Sequence, residues 1–173
     1  MVFVNHGWHL SGMQSTDTVM FVCFGNFYRS RFAEALFNFH AIHRGLAWRA
    51  ESRGFHPHLA TEDLSHEARA ALELRNIPLA LTRRKPTRLE LPDLFDAALV
   101  ICLKEAEHRP LMAERFSHWE DRVRYWHIHD IDVEPPGTAL IALEQNVLGL
   151  IAKLERMQTH RHPSPETAIA HEF

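Results

Sequence analysis

The chain has 173 residues, of which 46% are hydrophobic and 24% charged, with a formal net charge of −3. That composition supports one packed core. It argues against disorder throughout and against a general nucleic-acid binder, which carries a strong basic excess. No apolar run reaches the length of a membrane span, so no membrane partner is expected.

In the variable segment 1–16 no basic flank precedes an apolar stretch, so no secretory signal is expected there. Residues 18–23 form a short continuous apolar run, as in a strand buried on both faces. It stops at Gly25-Asn26, a turn signal. From Ser30 onward Phe32, Ala33, Leu36, Phe37, Phe39 and Ala41 give a helix an apolar face, ending near Gly45. Strand candidates follow at 46–51, 79–81, 97–103 and 123–128, of which 97–103 is the clearest. Helices are predicted at 65–74 and 105–116. Leu140, Leu143, Val147, Leu150, Ile151 and Leu154 recur at helical spacing and predict a last amphipathic helix. Residues 159–173 are rich in His, Pro and Ser and read as a flexible tail, leaving 17–158 as the single domain. Strands alternating with helices imply an α/β fold, a parallel sheet wrapped on both sides.

In such sheets ligands bind beyond the carboxyl ends of the strands. Cys23 stands at such an end. Five residues separate it from Arg29, and a helix begins at Ser30. A loop of that length can turn successive N–H groups inward as an anion nest, while the helix adds its own free N–H groups and positive dipole end. Arg29 can grip two phosphate oxygens through its planar fork. Gly25 and Asn26 suit positive φ angles. The same cradle favours the thiolate form of Cys23, and the Ser30 hydroxyl can donate to it. Cys23 and Cys102 are the two cysteines, far apart in the chain, so a disulfide scaffold is not expected and a reducing, cytoplasmic setting fits.

The run Val22-Cys23-Phe24-Gly25-Asn26-Phe27-Tyr28-Arg29-Ser30-Arg31-Phe32-Ala33-Glu34-Ala35 resembles the signature of the low-molecular-weight protein tyrosine phosphatases, C-x-G-N-x-C-R-S followed by a helix carrying A-E-A. Weaker similarity continues through Ser52-Arg53-Gly54, 96–103 and 126–130. The resemblance implies a three-layer fold, a four-stranded parallel sheet with helices on both faces and a phosphate-binding loop after the first strand. It implies a hydrolase of phosphate monoesters, of phosphotyrosine-like aryl phosphates above all, working through a cysteinyl phosphate. Cys23 is then the nucleophile, Arg29 the phosphate clamp and Asp130 the general acid, with Phe24, Gly25, Asn26, Phe27, Tyr28 and Ser30 completing the substrate loop. The expected partners are a phosphorylated protein or small phosphate ester, and inorganic phosphate or sulfate in the loop. No cofactor is expected.

Two departures stand out. Tyr28 occupies the place of a second loop cysteine, and Asp130 is followed by Ile131 where the family usually has proline. The missing proline leaves Asp132 as the rival acid. His127 and His129 would point to one face of an extended strand and suggest a metal, but two histidines do not complete a ligand set, and none is expected. Phe27, Phe55 and His58 are candidates for the wall around an aryl group. Two other functions compete. An arsenate reductase shares the loop but passes oxidation through further cysteines; Cys102 is near one such position, Arg109 stands at the other, and an external thiol would be required. A phosphate-binding module without turnover is the other alternative.

Overall fold

The computed structural model describes residues 16–130 and 134–161. Four strands, β1 (Asp17–Cys23), β2 (Trp48–Gly54), β3 (Leu99–Cys102) and β4 (Arg124–Tyr125), form one sheet in the order β2-β1-β3-β4. Every neighbouring pair is parallel, with Cys23 opposite Gly54 and Val22 opposite Cys102. Parallel neighbours cannot be joined by tight turns, so helices cross between them. These are α1 (Arg29–His43), α2 (His66–Leu74), α3 (Leu91–Asp96), α4 (Glu105–Arg115) and α5 (Pro136–Arg161).

Alternation along β1 divides the core in two. Val19, Phe21 and Cys23 face a cluster built with α1, α2 and α5. Met20 and Val22 face the other, where Leu94 of α3, Met112 of α4 and Cys102 pack. The two cysteines therefore lie on opposite faces of the sheet, as period-two alternation requires when Val22 pairs with Cys102. This is the expected three-layer α/β fold.

Several boundaries differ from expectation. The segment expected as a strand at 79–81 is a 3₁₀ turn, Leu79–Thr82, because Pro78 opens it and accepts from Leu81 N locally at 3.1 Å. The second strand starts at Trp48 rather than at 46. Leu46 N is bound by Ala41 O, which closes the end of α1, and Ala47 N by the side chain of Gln158 on α5. The strand expected at 123–128 shortens to two residues, followed by an isolated antiparallel bridge between Lys104 and His127. Helix α3 was not anticipated; its signals were Pro92 in the first turn and Asp93, whose carboxylate accepts from Glu90 N at 2.8 Å.

Helix α5 continues to Arg161, so 159–161, expected in the tail, are helical; 1–15 and 162–173 lie outside the described residues. By length and composition α5 is also apolar enough to cross a bilayer, which no continuous apolar run in the sequence suggested. Its apolar side, including Leu143, Val147 and Ile151, is packed into the core.

Candidate active site

The loop after β1 carries the chain from Cys23 to Arg29 at the carboxyl edge of the sheet. Asn26 sits at its turning point in the left-handed region (φ 55°). Its amide reaches Ser30 Oγ at 2.9 Å and Ser52 Oγ at 2.9 Å, and its N–H points at Cys23 Sγ at 3.3 Å. Its Oδ1 accepts from Arg84 Nη1 at 3.0 Å and Thr87 N at 2.8 Å. Asn is among the few residues that adopt this conformation cheaply, and five contacts hold it there. Gly25, expected to share the positive φ, is required for space instead: a Cβ there would lie 2.7 Å from the Phe27 ring. Gly54 is needed for the same reason, since a Cβ would lie 2.8 Å from Phe24 O and Asn26 Cβ.

Cys23 is almost fully buried, and its Sγ lies 3.0 Å from Ser30 Oγ. Helix α1 starts at Arg29 without a side-chain cap and without an acidic residue in its first turn. Its opening N–H groups and dipole end are thus left facing the loop.

Arg29 is 1% exposed and its guanidinium is held on three sides. Glu107 accepts from both terminal nitrogens, at 3.4 and 3.0 Å. Ile128 O accepts from Nη1 at 3.0 Å, and Asp130 Oδ2 from Nη2 at 2.5 Å. Burial by itself works against the charge, but Cys23, Glu107 and Asp130 outweigh it and hold Arg29 above its ordinary value. Asp130 is thereby brought to Arg29 from the loop after β4. Ile131 and Asp132, the rival acid, lie outside the described residues.

Behind the loop lies a charged layer that the sequence did not reveal. Glu34, from the A-E-A stretch, accepts from Ser52 Oγ at 2.7 Å, Thr82 Oγ1 at 2.9 Å and Arg84 Nη2 at 3.1 Å. Arg31, 1% exposed, bonds Thr82 through its Nε at 2.6 Å and through a terminal nitrogen to the same residue's carbonyl, and reaches Asp63 O at 3.0 Å. Burial, with Arg84 adding to it, lowers Arg31 to about 10, which still leaves it charged at neutral pH.

The first turn of α4 supplies the other missed residues. His108 is fully buried; its Nδ1 accepts from Lys104 N at 3.1 Å, and its Nε2 lies 3.5 Å from Glu107 Oε2. Burial and then the Arg29 charge push it down to about 3, so it is neutral. Lys104 Nζ lies 3.4 Å from His127 Nε2 and 2.8 Å from His129 Nδ1. A cation thus stands where the suspected metal would be. Among the described residues no set of three or more His, Cys, Asp and Glu forms a metal cage.

Of the wall candidates, Phe55 is wholly buried in the α3–α4 core and lines nothing. Phe27 packs partly buried against the other core cluster. His58 stands edge-on to His56 at 5.7 Å. Phe24 is 37% exposed, its ring 4.8 Å from that of His56. Tyr28 is buried, and its hydroxyl has no hydrogen-bond partner among the described residues. Burial, then Asp130, push its phenol well above the ordinary tyrosine range.

A family model described as "Low molecular weight phosphotyrosine protein phosphatase" matches residues 18–159. No curated protein matches. Among solved structures, a low molecular weight protein tyrosine phosphatase from T. tengcongensis is 26% identical at TM-score 0.65, covering 82% of this chain and 99% of that one. YfkJ from Bacillus subtilis has TM-score 0.72 at 18% identity, with coverage of 84% and 99%. The YwlE arginine phosphatase from Geobacillus stearothermophilus has TM-score 0.68 at 23% identity, with coverage of 86% and 99%.

Proposed function

Because the chain belongs to the low molecular weight phosphotyrosine protein phosphatase family, we propose that it hydrolyses aryl phosphomonoesters, phosphotyrosine foremost, with Cys23 as nucleophile. Membership makes it a phosphatase, a hydrolase acting on phosphorylated substrates. The observation that supports these roles is convergence: Arg29 follows the Cys23 loop, and Asp130, 101 residues on, meets its guanidinium at 2.5 Å.

The Cys23 thiolate attacks phosphorus, and the bond from phosphorus to the leaving phenol oxygen breaks. Asp130 delivers the proton that oxygen needs. Loop N–H groups and Arg29 carry the charge of the transferring phosphoryl group. Water then attacks phosphorus and gives a proton back to Asp130. The S–P bond breaks, phosphate leaves, and Ser30 donates to the returning thiolate. Glu107 and Ile128 O fix the plane of Arg29, leaving Nε and the one Nη2 proton that Asp130 holds for phosphate oxygens. A phosphate dianion arriving at Arg29 competes with Asp130 for that charge and releases the carboxyl toward the leaving group.

Phe24, partly exposed in the loop and tilted 41° against His56, offers a ring for an aromatic substrate to pack on, which favours an aromatic ring over a flexible chain. Both thiols are free, which suits a reducing cytoplasm. An arsenate-reducing relay through Cys102 gains no support, because that residue is buried on the far face of the sheet and burial raises its thiol far above the reactive range.

The test compares kcat/KM on phosphotyrosine, phosphoserine and phosphoarginine peptides. The aryl ester should be the best substrate, and Phe24→Ala should lower its kcat/KM about tenfold, the worth of one aromatic contact of roughly 1.4 kcal/mol. Faster turnover of phosphoarginine, untouched by Phe24→Ala, would overturn the substrate assignment.

A further inference from the structure

Arg84 has two neighbourhoods. On one side its terminal nitrogens bind Asn26 Oδ1, Glu34 and Ser52, beneath the phosphate loop. On the other it lines a cleft of about 500 Å³ between the start of α2 and the segment after the 3₁₀ turn. Arg69, Arg83 and Lys85 line the same cleft, with Leu79 at its side and Asp63 as the one lining carboxylate among the described residues. Those three cations take part in no salt bridge among the described residues, whereas Arg84 is paired with Glu34. The volume is that of a small-molecule site. Arg69, Arg83 and Lys85 are exposed, so water screens them, but three cations without ion pairs among the described residues, set around one cavity in a chain of net charge −3, still make a local positive field that favours an anion there.

We propose that this cleft is a second anion site, distinct from the Cys23 loop, which takes a small molecule bearing a short phosphate chain. Arg69, Arg83 and Lys85 bind the chain, and Arg84 is shared between it and Asn26. An anion in the cleft draws on the same guanidinium that steadies the phosphate loop, so the two sites oppose one another. By linkage the opposition is reciprocal. Several phosphates suit Arg69, Arg83 and Lys85, the three lining cations without an ion pair among the described residues, better than a lone carboxylate, since each added charge finds a partner.

The test uses inorganic tripolyphosphate as probe and Arg83→Ala/Lys85→Ala as variant, neither residue being part of the proposed catalytic machinery. Calorimetry should show two equivalents bound by the wild-type chain, one in the loop and one in the cleft, and one equivalent bound by the variant. Without tripolyphosphate the variant should hydrolyse p-nitrophenyl phosphate at the wild-type rate. The loop of the variant should bind tripolyphosphate at least about fivefold more tightly than the wild-type loop does once the cleft is filled, the lower end of ordinary coupling between sites. Arg122→Ala/Arg156→Ala removes the same charge elsewhere and should leave both readings unchanged. Equal stoichiometry in the wild-type and Arg83→Ala/Lys85→Ala chains, or an equal loss in the control, overturns the proposal. Calorimetry does not depend on turnover, so a failure of the catalytic reading is told apart from a failure of the cleft. Pyrophosphate and ADP, titrated in parallel, distinguish an inorganic chain from a nucleotide carrying one.

Discussion

Tyr28 stands where the related loops carry a second cysteine, and it fills that volume with a buried ring. Its hydroxyl finds no partner among the described residues, and the phenol stays protonated. A buried hydroxyl without a partner costs about 1–3 kcal/mol, whereas an apolar group of the same shape does not. Tyr28→Phe should therefore raise stability by about 1 kcal/mol in urea unfolding and leave kcat/KM unchanged. A tenfold loss of kcat/KM would mean that the hydroxyl touches the substrate. Tyr28 also removes the nearest thiol that could trap an oxidised Cys23. Cys102 does not replace it, because it packs into the opposite cluster of the sheet.

The first turn of α4 shows how one element serves both the fold and the site. Glu107 leaves the helix toward Arg29, while His108, the next residue, turns into the core against Phe55 at 5.5 Å. Lys104, at the helix start, gives its N–H to His108 and its ammonium to His129. Folded His108 stays neutral down to about 3, whereas in the unfolded chain it protonates near its ordinary 6.5. Between those values the unfolded state binds the extra proton. Stability from this residue is therefore complete above about 6.5 and is lost as pH falls toward about 3. His108→Gln keeps an acceptor for Lys104 N but cannot titrate. Thermal melts from pH 7 to pH 4 should show a shallower loss of Tm in the variant than in the wild type. Parallel slopes would place the acid sensitivity elsewhere.

Across the whole molecule, the parts legible in the sequence are those fixed by local pattern. The buried strand before Cys23, the five-residue spacing to Arg29 and the periodic Leu140–Val147–Leu154 series each depend on neighbours in the chain, and each became the expected element. The 3₁₀ turn at Leu79–Thr82 misled because three apolar residues read alike in a strand or a turn, and the bond to Pro78 decided it. Glu107, His108, Arg31 and Arg84 were not legible. Their roles arise largely from groups meeting across 32 residues of chain, as in Arg84 with Ser52, to 78, as in Glu107 with Arg29, and a surface-type residue in the sequence gives no sign that it will be buried. Whether phosphate passes through Cys23 is decided by quenched turnover of an aryl phosphate followed by mass spectrometry of the peptides. A phosphate on the Cys23 peptide, absent from Cys23→Ala protein that has lost its turnover, is the result expected. Turnover with no adduct on Cys23, or an adduct on another residue, would contradict it.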